Sequence, residues 1–142
     1  MKAVFVLLRA TSAMAADFEG VRAVLRGFNA AAGGREPEAM RRLFTVQADY
    51  SDGDRRIEGP DAIVTLLLRG QTWSEVTPPV LQEEGIRFIG PFAALVDARL
   101  IRYGSTIVKS SIRVVLLVEK EKGVWKISSW RVSSCRFWSF PE

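Results

Sequence analysis

The chain has 142 residues, 48% of them hydrophobic and 25% charged, with a formal net charge of +4. That length and balance suit one folded domain and exclude collagen-like, coiled-coil and disordered chains, and no apolar run is long enough for a helical membrane span. There is no histidine and one cysteine, Cys135, which removes Ser-His and Cys-His triads, internal disulfides and the usual zinc or non-haem iron ligand sets; neither metal nor cofactor is expected.

Residues 1–16 carry two readings, a secretory signal peptide or a disordered start. Lys2 supplies a positive end, Ala3 to Leu8 an apolar stretch, and Ala13-Met14-Ala15 a small-x-small cleavage pattern. Arg9 interrupts the apolar stretch after only six residues. Under the first reading the protein is secreted or periplasmic, and removal of Lys2 and Arg9 lowers its charge from +4 to +2. Under the second it is cytoplasmic.

The domain proper is expected over residues 17–134. Phe18, Val21, Leu25, Phe28 and Ala32 recur every three or four positions, one stripe of a helix with Asp17 as its N-cap and Gly33-Gly34 as its stop. Pro37 opens a second, short helix with Met40, Leu43 and Phe44 on one side. The stretch "ADYSDGDRRIEG" reads as strand, Asp-Gly turn and strand. Gly59-Pro60 starts a third helix carrying Ile63, Leu66 and Leu67 and ending at Gly70. Four strands follow, from after Pro79 to Ile89, Phe92 to Tyr103, Ile107 to Val118 and Val124 to Ser134, broken at Gly90-Pro91, Gly104-Ser105 and the charged "EKEKG". Residues 135–142 form an aromatic tail that is expected to pack on the domain or on a partner.

Helices first and long strands afterwards predict an α+β fold. Basic residues do not gather into a phosphate-binding face: Arg41-Arg42 and Arg55-Arg56 lie beside Glu38, Asp52, Asp54 and Glu58. No nucleic-acid partner is expected.

The stretch "FNAAAGGREPEAMRRLFTVQADYSDGDRRIEGPDAI" (28–63) and the closing "KGVWKISSWRVSS" (122–134) resemble the nuclear transport factor 2-like superfamily, in particular its SnoaL-like and ketosteroid isomerase-like members. The resemblance covers roughly residues 17–134. It implies a cone of three N-terminal helices packed on a strongly curved antiparallel sheet, a cystatin-like α+β roll, often a homodimer through the sheet. It also implies an apolar pocket inside the cone.

The resemblance places Asp52 at the position of the ketosteroid isomerase general base. That enzyme also needs an oxyanion hole built from a tyrosine and a protonated acid, and the two donor positions fall here near Val24 and near Val114 or Val115. No steroid isomerase activity is expected. Other relatives place His where this chain has Arg131, which can clamp a carboxylate or phosphate or pair with an acid such as Asp97 or Glu119. Asp97 and Arg99 share a face of one strand and can pair. Trp125 and Trp130 have opposite parity and are expected on opposite faces of the sheet. The candidate site is therefore Asp52 as a catalytic carboxylate, with Tyr50, Trp73, Arg99 and Arg131 as pocket or ligand-binding residues. Two functional readings follow: a domain that binds a small hydrophobic molecule or associates with protein without catalysis, or an isomerase, cyclase or hydrolase using Asp52 as general base.

Overall fold

The computed structural model describes the backbone of residues 2–69, 78–103 and 109–134; the side chains at 2–13, 69, 102, 103, 109, 110 and 134 lie outside that description. Helix α1 spans Lys2–Gly34, α2 spans Pro37–Arg41 and α3 spans Pro60–Arg69. The strands are β1 (Phe44–Ser51), β2 (Arg56–Glu58), β3 (Val80–Gly90), β4 (Ala93–Tyr103), β5 (Lys109–Glu121) and β6 (Val124–Ser134). Trp73 and the tail at 135–142 lie outside the described residues.

The predicted first helix is there, but Asp17 does not cap it. The helix continues back to Lys2, which puts Asp17 in its interior. Its core stripe is Val21, Val24, Leu25, Phe28, Ala31 and Ala32, all buried. Pro60 opens α3 because its fixed φ suits a first helical turn and its missing N–H needs no partner there, while Gly59, at φ +93°, donates its own N–H to the Ala48 carbonyl at 2.8 Å.

The six strands form one sheet in the order β2-β1-β6-β5-β4-β3. All neighbours are antiparallel except β1 and β6, which run parallel. The expected all-antiparallel sheet is thus a mixed one, because the first strand of the chain docks beside the last. Between β5 and β6 the turn residues Lys122 and Gly123 both have positive φ, 51° and 81°. That conformation matches the right-handed twist of the flanking strands and suits glycine at the second position.

The helices cover one face of this sheet. Ala94, Val96, Ala98 and Leu100 of β4, Val114, Leu116 and Val118 of β5, and Trp125, Ile127 and Trp130 of β6 join the helix stripes in one core. Trp130, Phe28, Met40 and Ile63 are essentially sealed from solvent. Both tryptophans therefore face the same side, contrary to their sequence parity. The pairing shifts between Leu117–Ser129 and Val118–Ile127, leaving Ser128 as an extra residue. Such a bulge resets the alternation by one, so residues five apart end on one face.

Candidate functional site

Two groups of polar side chains stand out, one on each face of the sheet near β1. The first lies at the end of the β1–β2 hairpin. Asp52 opens the turn, and its Oδ1 accepts the backbone N–H of Asp54 at 3.2 Å and of Arg55 at 2.9 Å. Its Oδ2 accepts from Arg55 Nε at 3.3 Å, Arg55 Nη2 at 3.2 Å and the Tyr50 hydroxyl at 3.2 Å. Short acidic side chains close turns in this way because the carboxylate reaches the N–H groups two and three positions on. Burial by itself would push the Asp52 carboxyl up, but the Arg55 N–H, the Arg55 guanidinium and the Asp54 N–H outweigh it and hold the group below its ordinary 3.8. A general base at neutral pH needs its pKa moved the other way, toward the working pH. Tyr50 is buried on the helix side of the sheet, pairing across to Ile57 and Trp130.

The second group is on the opposite face. Asp49, one residue before Tyr50, points away from the helices. Its Oδ1 accepts the Ser129 hydroxyl at 2.7 Å, and its Oδ2 accepts Arg56 Nη2 at 3.2 Å. Arg131 Nε donates to Ser129 Oγ at 3.1 Å, and its Nη2 stands 3.6 Å from Asp49 Oδ2, beyond hydrogen-bond reach but within an ion pair. Ser129 is 8% exposed and Asp49's side chain 16%, whereas Arg131's side chain is 56% exposed. The buried members thus hold the exposed guanidinium by its inner nitrogen.

This group borders a cleft of about 690 Å³ lined by strand residues alone. Leu95, Val115 and Leu117 supply its apolar surface, Asp49, Ser129 and Arg131 one polar wall, and Glu119 and Glu121 its acidic end. The expected pocket was the interior of the cone; the cleft lies on the other side of the sheet.

The candidate residues therefore separate. Tyr50 and Asp52 meet. Arg131 sits level with Ser51 on the neighbouring strand but on the face opposite Tyr50, and its acidic neighbour is Asp49 rather than Asp97 or Glu119, because β6 lies between β5 and β1. Arg99 does not pair with Asp97. Its Nε donates to Glu84 Oε2 at 2.6 Å and its Nη1 to Ser111 Oγ at 3.3 Å. A bulge in β3 between Glu83 and Gly85 makes Glu84 the extra residue and redirects it. Val24 and Val114, where the resemblance places oxyanion donors, are buried aliphatic side chains. Asp49 and Ser129 join the site through a contact that the sequence does not mark. Asp49 lies in the stretch 28–63 that carries the resemblance, but a serine 80 residues away carries no local signal of its partner.

Among the described residues no three His, Cys, Asp or Glu side chains are grouped to hold a metal ion. No described helix is long and apolar enough to cross a membrane.

No protein-family model and no curated protein matches the chain. Solved structures do. A nuclear transport factor 2-like protein of unknown function from Shewanella oneidensis MR-1 is 17% identical, with 83% of this chain and 99% of that one covered and a TM-score of 0.71. A protein described as a putative scytalone dehydratase from Novosphingobium aromaticivorans DSM 12444 is 18% identical over 86% of each chain, with a TM-score of 0.68. A domain of unknown function with a cystatin-like fold from Nostoc punctiforme PCC 73102 is 18% identical, covering 82% of this chain and 75% of that one, with a TM-score of 0.68. At such identities the likeness is one of fold.

Proposed function

On a chain that has the nuclear transport factor 2-like, cystatin-like fold, an architecture that does not by itself dictate a reaction, we propose a binding domain without a catalytic role. Its site is the cleft on the uncovered face of the sheet, and its ligand is a small hydrophobic molecule. The observation that carries this reading is the union of an apolar surface (Leu95, Val115, Leu117) with a positioned cation, Arg131, in one cleft of about 690 Å³. Ligand clefts combine those two elements, apolar area for affinity and a few polar groups for orientation. The Asp52–Tyr50 pair supports the enzyme alternative less well. Its carboxylate closes its own turn, and its pKa moves away from that of a base.

The test is a binding screen by native mass spectrometry with lipids, steroids and polyketides, on the natural protein and on Leu117→Glu. Retention of a ligand by the first and not the second is expected. Retention by both would move the site off this face, and retention by neither would remove the binding reading.

A second reading is self-association through the same face as a homodimer. What favours it is Val46, 84% exposed on the rim of the cleft. One exposed aliphatic side chain is ordinary, but Val46 extends the apolar surface of Leu95, Val115 and Leu117 in the same cleft, and an apolar patch suits an interface. Sedimentation velocity on the natural protein and on Val46→Glu separates the two readings. A dimer that the substitution dissociates supports self-association, and a monomer throughout removes it.

A further inference from the structure

The chemistry around Arg131 specifies the ligand more narrowly than its hydrophobicity. Asp49 has already satisfied itself with Ser129 through Oδ1 and with Arg56 through Oδ2. Ser129 donates to Asp49 and accepts from Arg131 Nε, so its hydroxyl has a fixed direction. Arg131 is therefore anchored by a hydrogen bond at Nε and, more loosely, by the 3.6 Å ion pair of Nη2 with Asp49 Oδ2. Among the described residues neither of its Nη nitrogens makes a hydrogen bond, and the side chain is more than half exposed at the edge of the cleft. A guanidinium held at Nε, with Nη2 only loosely paired to Asp49 and Nη N–H groups that make no hydrogen bond among the described residues, is pre-organised for a planar, two-oxygen anion.

The apolar surface begins at its side. Arg131 pairs across with Val115, Ser129 with Leu117, and Leu117 with Leu95. Two further acids, Glu119 and Glu121, line the cleft on β5 beyond Leu117, on the side away from Arg131. They repel an anion from that end and so leave one orientation.

Resting on the binding reading above, we infer that the cleft takes an amphipathic carboxylic acid, its carboxylate on Arg131 and its apolar body over Val115, Leu117 and Leu95. Asp49 and Ser129 act as positioning residues: they touch the guanidinium, not the ligand.

The experiment uses octanoate and its neutral counterpart 1-octanol as probes, titrated into the natural chain and Arg131→Gln and followed by backbone amide NMR, with circular dichroism to verify that the variant is folded. Octanoate is expected to bind about tenfold or more tightly than octanol, the size of one charge-assisted pair, with shifts at Val115, Leu117 and Leu95. In Arg131→Gln the octanoate advantage is expected to vanish while octanol affinity stays, and Arg131→Lys is expected to keep part of it, since lysine supplies charge without the fork. Equal binding of the two probes to the natural chain would overturn the carboxylate inference and leave the binding reading standing. An octanoate preference that survives Arg131→Gln would overturn the assignment to Arg131. Absence of shifts on this face with either probe would overturn both.

Discussion

The side-chain amide of Asn29 makes both its hydrogen bonds with one residue, Leu81: Nδ2 donates to the Leu81 carbonyl at 3.0 Å and Oδ1 accepts the Leu81 N–H at 2.8 Å. Leu81 lies on β3, an edge of the sheet, so Asn29 stands in for a missing neighbouring strand and ties that edge to α1. Edge strands expose backbone groups that need such cover.

Asn29→Leu is expected to cost about 2–4 kcal/mol, because it removes two hydrogen bonds and leaves a part-buried N–H and C=O without partners. Urea unfolding measures the loss. Hydrogen exchange localises it, with the Leu81 amide losing protection first. Asn29→Asp keeps the acceptor alone and is expected to preserve Leu81 N–H protection while still destabilising the domain.

The close approach of α1 to β6 rests on Gly20. A Cβ added there would stand 2.5 Å from Trp125 Cδ1 and 2.9 Å from its Nε1. Trp125 is 7% exposed and packs on Phe88, with ring centroids 5.8 Å apart, so it has little room to move. Gly20→Ala is expected to destabilise by about 1–3 kcal/mol despite the better helix propensity of alanine, since overpacking costs more than propensity returns. Gly33→Ala meets nothing within 4 Å and is expected to be neutral or slightly stabilising. Thermal unfolding of the pair checks the contrast.

Local pattern made most of the fold legible. β3, β4 and β6 lie within a residue of where glycine and proline punctuation and β-branched runs place them, because strand ends and turns are written in adjacent residues, whereas β5 runs on to Glu121, through charged residues expected in the turn. What escaped depended on contacts distant in the chain. Parity puts Trp125 and Trp130 on opposite faces, and the bulge at Ser128 that reunites them arises only from pairing with β5. Arg131 meets Asp49 instead of Asp97 or Glu119 because β1 joins β6 in parallel, a neighbour no short stretch reveals. Asp52 was legible as a turn residue and as a catalytic candidate from the same letters. The structure favours the first role through donors supplied by Asp54 and Arg55.

Ser129→Ala removes the hydroxyl that joins Asp49 to Arg131. The largely buried Asp49 then keeps Arg56 and the looser Arg131 contact. The expected cost is about 1.5–3 kcal/mol, the range for a hydrogen bond to a charged group. Denaturant unfolding measures it, and Asp49→Asn in the same background tests coupling. If the three side chains act as one group, the double variant is expected to lose less than the sum of the single losses.

The turn around Asp52 makes a pH-dependent contribution whose sign is fixed. Its folded pKa lies below the ordinary 3.8 because the Arg55 and Asp54 donors outweigh the effect of burial. The unfolded chain therefore binds a proton first as the pH falls, and the native state gains nothing from protonation until its own lower pKa is reached. The stabilisation is fully present above the unfolded pKa and is lost as the pH drops through the folded one. Asp52→Asn is expected to cost about 1–2 kcal/mol at pH 7, in line with charge-assisted hydrogen bonds, with the natural and variant stabilities converging at strongly acidic pH. Carboxyl-carbon NMR is expected to show Asp52 titrating below 3.8, and Arg55→Leu to bring it back up. An Asp52 that instead titrates near neutrality would restore the general-base reading, since a raised pKa is what that chemistry requires.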